Sequence, residues 1–186
     1  SKLTLVMPTS RRQDFVLRNI SYWSNSGVTL LVLDNSPNAI EDSIIKSFGK
    51  NIIYKHDKRT FEKRIFDSFS FINTKYSQLI GDDEFYIKSA VISSIKELER
   101  DESLISCTGC CLKFVVDKED RKIYSRYVYP RLYNNYKYTI QEDPKKRLNL
   151  FMKNYQPFPI YAITRSNVWK KAFELISNSK RFNFWS

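Results

Sequence analysis

Glycine is scarce in this chain, with four in 186 residues, at positions 27, 49, 81 and 109. Neither a G-x-G-x-x-G turn nor a G-x-x-x-x-G-K-S/T loop can be written with them. Phosphate cradling by a glycine-rich backbone loop of the Rossmann or P-loop kind is therefore excluded. A phosphorylated ligand would have to be held by basic side chains or by a metal. Histidine occurs once, at His56, and the three cysteines fall in one odd-numbered cluster, CTGCC (Cys107, Cys110 and Cys111). That cluster is a poor disulfide framework, and its C-x-x-C pair falls short of the ligands that a structural zinc site needs. A thioredoxin-like redox pair is the alternative. The reading adopted is small residues packed in a strand pair. No apolar run approaches the roughly 20 residues that span a bilayer, and LTLVM is too short for a secretory signal. A cytoplasmic location is the expectation.

Charge is present in excess, with a formal net charge of +11. Basic residues recur as Arg11-Arg12, Lys58-Arg59, Lys63-Arg64, Lys145-Lys146-Arg147, Lys170-Lys171 and Lys180-Arg181. Scattered in this way, each pair reads as part of a solvated helix face. Their sum favours anionic partners: nucleic acid, an anionic membrane face, or a phosphorylated small molecule.

No repeat, low-complexity tract or Gly/Ser linker interrupts the chain, so residues 1–186 are read as one domain. The first half alternates strand and helix signals. LTLVM (3–7) is followed by Pro8, and Thr9 or Ser10 can cap a helix running to about residue 24, with Phe15, Leu17, Ile20 and Trp23 as its apolar face. VTLLVLD (28–34) ends at the turn signal Asp34-Asn35-Ser36-Pro37. A helix at 39–48, a strand at 51–56, a helix at 61–72 and a strand at 76–81 follow. The second half is less regular. We read a helix at 86–99, strands near 103–108, 111–117 and 123–129, a helix around KKRLNLFMKNY, a strand at 157–165 and a last helix capped by Ser166. The fold class expected is α/β, a mixed and mainly parallel sheet flanked by helices.

In such sheets ligands bind at the carboxyl ends of the strands. The strand exits here are Pro8-Thr9, Asp34-Asn35, His56-Asp57 and Asp82-Asp83-Glu84. Three adjacent carboxylates repel one another unless a cation neutralises them, and hard oxygen donors select Mg2+ or Mn2+. Such an ion bridges diphosphate oxygens and acts as a Lewis acid on a departing nucleotide. The plain alternative is a solvated acidic turn in front of a helix.

Taken in order, the segments LTLVMPTSRR, VTLLVLDNSP, FEKRI and YSQLIGDDEF resemble the amino-terminal half of glycosyltransferases with the GT-A fold, most of all glycosyltransferase family 2. Pro8, Thr9 and Arg12 match that family's P-T-x-x-R opening. Asp34, followed by Asn35, matches the Asp that holds the nucleotide base. Asp82, Asp83 and Glu84 match its D-x-D-like metal and ribose motif, with Glu where Asp is usual at the third position. The resemblance implies a Rossmann-like GT-A sheet, with 1–90 as the nucleotide-sugar half and 91–186 as the acceptor half. It implies Mn2+ or Mg2+ on Asp82, Asp83 and Glu84, and a nucleotide-sugar donor, commonly a UDP-sugar. Lys63, at the start of the helix after the third strand, matches a basic position that approaches the donor; a solvated helical lysine is the alternative. His56 reads as a satisfied strand-end histidine.

An inverting member uses a carboxylate base, for which Asp143 and its neighbour Glu142 are the candidates. Glu142-Asp143-Pro144 also reads as a plain helix start. The chain stops at RFNFWS straight after a helix, and a base carried by a carboxy-terminal continuation is the other possibility. Six tyrosines between Tyr124 and Tyr138, interleaved with Arg126, Arg131 and Lys137, suggest a surface that stacks an acceptor sugar. The expected function is thus metal-dependent transfer of a sugar from a nucleotide-diphosphate sugar to an acceptor hydroxyl. The acceptor would be a glycan or lipid-linked molecule in cell-surface glycan synthesis, reached by peripheral association with the inner membrane face. The rivals are a metal-dependent nucleotidyltransferase, which usually needs a glycine-rich phosphate loop after its first strand, and a basic nucleic-acid-binding domain. No nucleic-acid partner is expected on the main reading.

Overall fold

The computed structural model describes residues 1–109, 112–116, 123–127, 142–153 and 158–177. Cys110, Cys111, residues 128–141 of the tyrosine-rich stretch and the terminal RFNFWS lie outside the described residues. The chain divides into two compact units, one of Ser1–Cys107 with Ile160–Ser186 and one of Thr108–Pro159.

The first unit is built on a six-stranded mixed sheet. Its strands are β1 (Leu3–Thr9), β2 (Thr29–Asp34), β3 (Ile52–His56), β4 (Tyr76–Leu79), β5 (Ser106–Cys107) and β8 (Ile163–Arg165), in the order β3-β2-β1-β4-β8-β5. The four strands β3, β2, β1 and β4 run parallel, and β8 is antiparallel to both β4 and β5. The α/β reading therefore holds. Alternation along the strands sends apolar residues to both faces, as a sheet covered on both sides requires. Leu3, Leu5, Met7, Leu30 and Val32 pack with Val16, Ile20 and Trp23 of α1 (Gln13–Trp23) and with Val91 and Leu98 of α4 (Lys88–Arg100). Val6, Leu31, Leu33 and Leu79 pack on the other face with Ile65 of α3 (Phe61–Ser68) and with Trp169 and Phe173 of α6 (Ser166–Ser177).

Three elements differ from the sequence reading. The helix expected at 39–48 contracts to α2 (Asp42–Lys46), which has no buried residue of its own to hold a longer one. The strand expected at 157–165 is a 3-10 turn, Phe158–Tyr161, followed by β8 alone. Pro159 has no N–H to donate and would leave a gap in the ladder of a strand paired on both sides, as β8 is; Pro157 lies outside the described residues. On α1, Phe15 turns outward at 39% exposure while Val16 and Asn19 are buried beside Ile20 and Trp23. The second unit contains a two-stranded antiparallel pair, β6 (Leu112–Val116) and β7 (Ile123–Tyr127), and the helix α5 (Pro144–Lys153). No described helix is long and apolar enough to cross a membrane.

Leu31, fully buried in β2, supports the sheet from its centre. Leu31→Ala should cost about 2–5 kcal/mol, read as a fall in the urea midpoint, whereas Ile92→Ala on the exposed side of α4 should change stability by no more than about 0.5 kcal/mol.

Candidate functional site

The parallel order β3-β2-β1-β4 reverses direction at β1, and such a switch point is where an open α/β sheet forms its crevice. Pro8 shapes it. The β1–β4 register ends at Val6–Leu79, whereas the β1–β2 register continues through Thr9–Asp34. Ile80 N–H still donates to Val6 O at 2.9 Å, but Pro8 has no N–H with which to extend that ladder.

A residue three positions past the end of β4 closes the gap with its side chain. Asp82, only 6% exposed, accepts from Thr9 Oγ1 at 2.6 Å on Oδ2 and from Arg12 Nη1 at 3.0 Å on Oδ1. Its main-chain carbonyl accepts from Asn19 Nδ2 at 2.7 Å and from Arg18 Nη2 at 2.9 Å. Thr9 thus places its hydroxyl on Asp82 and does not cap α1. The N-cap position is Arg12, with no side-chain cap bond, and Ser10 Oγ donates to Asn35 Oδ1 at 3.2 Å instead.

Arg12 is brought back over Asp82 by a sharp turn. Arg11 sits at φ 58°, in the left-handed region uncommon for a side-chain-bearing residue, and its N–H is held by Ser36 Oγ at 2.8 Å. Arg12 Nη1 donates also to Asp83 Oδ2 at 3.0 Å. Its bond to Asp82, with the charges of both carboxylates, raises the Arg12 guanidinium above its ordinary value. Glu84 does not share Arg12: its Oε2 accepts from Gly81 N–H at 3.2 Å and from Tyr86 Oη at 2.7 Å. Each of the three carboxylates expected to share a cation thus has its own protein partner. Among the described residues, no three His, Cys, Asp or Glu side chains converge as a metal site. The donors are chemically right for Mn2+ or Mg2+, but their arrangement does not fit one while Arg12 bridges two of them.

The remaining strand exits are tied down rather than open. Asp34 is fully buried, with Oδ1 accepting from Ser36 N–H at 2.7 Å and Oδ2 from Tyr54 Oη at 2.5 Å. In this state its carboxylate is committed to the protein, away from the solvent that a base would approach from. Asn35 stitches the loops together, its N–H on Thr9 O at 3.0 Å and its Nδ2 on Arg59 O at 3.0 Å. His56 Nε2 lies 2.7 Å from Ser36 O, the satisfied strand-end histidine expected. Asp57 pairs with Arg59, whose hydrogen bond holds its carboxyl below the usual range.

Lys63 is exposed, and it is the next residue, Arg64, that turns under the strand ends. Arg64 donates from Nη1 to the carbonyl of Leu33, and at 3.4 Å to that of Thr9. Its Nε is buried without a hydrogen-bond partner among the described residues, and burial pushes the guanidinium below its ordinary value. Arg64 lines a cavity of about 720 Å3 beside the end of β3, with Lys55, His56, Phe66 and Phe71. The helical phase could have found it: Arg64 directly precedes Ile65, the buried apolar residue of α3. Glu142 and Asp143 belong to the second unit, where Asp143 Oδ1 caps α5 by accepting from Lys145 N–H at 2.9 Å.

No protein-family model matches the chain, and neither does any curated protein. Solved structures match it in part. Residues 1–349 of S. aureus TarS share 12% identity over 54% of this chain, with a TM-score of 0.44. A CMP:2-keto-3-deoxy-manno-octonic acid synthetase complexed with CTP shares 13% over 97% of this chain and 80% of its own, with a TM-score of 0.47. The mannosyltransferase PcManGT from Pyrobaculum calidifontis, in complex with GDP-Man and Mn2+, shares 12% over 56% of this chain and 34% of its own, with a TM-score of 0.42. This chain spans 33% of the length of the TarS structure. Likenesses at 12–13% identity with TM-scores below 0.5 carry no inference about chemistry, and the site is read from its own residues.

Tyr54 supplies the only side-chain hydrogen bond to buried Asp34 among the described residues. Tyr54→Phe should cost about 1–3 kcal/mol at neutral pH, because a buried carboxylate loses its donor. Burial, with the bond to Asp34, raises the Tyr54 hydroxyl well above its ordinary value. A raised folded-state value gives stability that is present in full below the unfolded value and is lost as pH rises through the folded one. Denaturant titrations at about pH 8 and about pH 10.5 should show the native protein losing stability between them and Tyr54→Phe losing less.

Proposed function

We propose that the crevice between β1 and β4 binds a nucleotide-diphosphate sugar, and that the protein is a glycosyltransferase of the GT-A kind. The observation that carries this reading is the junction of Thr9, Arg12 and Asp82 at the switch point of the parallel strands. It places cationic and hydroxyl groups where such sheets take their ligands. The first loop after β1, Ser10-Arg11-Arg12-Gln13, has no glycine, which weighs against a nucleotidyltransferase whose backbone cradles a triphosphate.

On this reading, Arg12 lies beside the diphosphate, and uridine is the first choice of nucleoside. Pro8, Asp34 and Asn35 shape and brace the donor side, with Lys63 at its rim. The acceptor hydroxyl of a glycan or lipid-linked molecule attacks the anomeric carbon as the bond to the diphosphate oxygen breaks. The nucleoside diphosphate leaves, and the hydroxyl proton passes to a carboxylate base, giving inversion. Asp143 is the proposed base, with Glu142 beside it. Asp82, Asp83 and Glu84 are the groups that would recruit Mn2+ or Mg2+, and Arg12 would have to yield its place on two of them. Peripheral association with an anionic membrane remains part of the proposal, motivated by the net charge of +11.

A thermal-shift panel of UDP, GDP, CDP and ADP, with Mn2+ and with chelator, tests donor binding, since a ligand of the folded state raises the melting temperature. At least one nucleotide should shift it by several degrees, and the near-isosteric Asp82→Asn should abolish the shift. No shift with any nucleotide, or one indifferent to Asp82→Asn, overturns the proposal. Asparagine caps a helix about as well as aspartate. Asp143→Asn should therefore leave the melting temperature and donor binding unchanged while lowering turnover by about 100-fold or more. Unchanged turnover would remove Asp143 from the base role.

A further inference from the structure

We propose that Arg12 is the resident cation of this site, so that the guanidinium, and not a divalent metal, neutralises the aspartates and meets the donor's diphosphate. The inference rests on the nucleotide-sugar reading above and specifies how that ligand's charge is met.

A carboxylate as buried as Asp82 must be paired, because an uncompensated charge out of water is costly. The pairing is complete within the protein: Thr9 donates to one oxygen and Arg12 to the other. The nitrogen that reaches Asp82 Oδ1 at 3.0 Å also reaches Asp83 Oδ2 at 3.0 Å, so Arg12 Nη1 bridges the two carboxylates that a metal would bridge. Its place is set by the backbone, through the left-handed Arg11 anchored on Ser36 and the start of α1 at the next residue. The third carboxylate, Glu84, has its Oε2 taken by Gly81 N–H and Tyr86 Oη.

Arg12 also has capacity to spare. The guanidinium carries five N–H donors in a planar fork, and among the described residues only Nη1 makes hydrogen bonds, with the Phe15 ring centroid 5.9 Å from Cζ. Among the described residues Nε and Nη2 have no acceptor, and the side chain is 50% exposed. A free edge of a fixed guanidinium suits the paired oxygens of a phosphate. A second guanidinium stands at the same lip: Arg18 lies between the rings of Phe15, at 4.8 Å, and Phe85, at 4.2 Å, and its Nη2 holds the Asp82 carbonyl. A dication entering at Asp82 and Asp83 would have to break both Arg12 bonds and then sit beside the displaced charge. Metal and Arg12 are therefore competitors for one position.

The test uses calorimetric titration of the native chain, Arg12→Ala and Arg12→Lys with the nucleoside diphosphates, each in EDTA and in Mn2+, alongside Mn2+ binding alone followed by electron paramagnetic resonance. The native chain should bind a nucleoside diphosphate in EDTA with a Kd within about threefold of that in Mn2+, and should bind no Mn2+ at submillimolar concentration. Arg12→Ala should weaken nucleotide binding about tenfold or more in EDTA, recover part of it in Mn2+, and acquire an Mn2+ site of its own. Arg12→Lys, which retains a charge but not the fork, should fall between and serves if the alanine variant does not fold. Nucleotide binding by the native chain in Mn2+ alone, or stoichiometric Mn2+ binding at micromolar concentration, overturns the inference and leaves the nucleotide-sugar reading standing. Absence of nucleotide binding in both media overturns that reading and this inference with it.

Discussion

One buried carboxylate organises the end of this sheet at which ligands are expected. Asp82 is joined to β1 through Thr9, to the α1 N-cap through Arg12 and to α1 through Arg18 and Asn19, so one residue after β4 is tied to two neighbouring elements more than sixty residues away. The requirement that a buried charge be fully hydrogen-bonded makes the junction all-or-none. Remove one donor and the cost falls on Asp82, which would then favour water or another cation. The rest of the crevice inherits its geometry from this demand.

The second constraint is the absence of backbone devices for phosphate. With no glycine-rich turn after β1, the loop Ser10-Arg11-Arg12 must do its work through side chains, and the chain accepts one left-handed non-glycine residue to aim them. Pro8 contributes from inside the strand, by withholding the donor that would have continued the β1–β4 ladder. The scarcity of glycine, the proline and the adjacent arginines are thus parts of one solution. This sheet end presents guanidinium groups rather than a ring of backbone amides.

The reading from sequence did best where burial dictates pattern. The runs LTLVM and VTLLVLD are largely apolar on both faces, and YSQLI is buried along its length, because helices cover both faces of the sheet, and their order of strand and helix is that of a parallel array. The helix start at Asp143-Pro144 was legible for the same local reason: cap and N1 proline lie next to each other in the chain. Thr9 was read as a helix cap from local propensity, but a partner more than seventy residues away claims its hydroxyl. Asp34 stands at a strand exit in the sequence, yet the fold buries it with its Oδ2 on Tyr54 Oη, and nothing near residue 34 announces that. Lys63 and Arg64 are adjacent cations, and only the phase of α3 against the sheet decides which is buried.

The sequence alone determined the α/β architecture, the strands that carry the site and the exclusion of glycine-loop phosphate binding, because periodicity and composition act within a few residues. Tertiary structure alone decided the chemistry at the strand ends. Whether Asp82, Asp83 and Glu84 face a common cation or separate protein partners depends on where Arg12, Thr9 and Tyr86 arrive from elsewhere in the chain. Charge pairing is a matter of ångströms in space, and neighbours in sequence do not specify it.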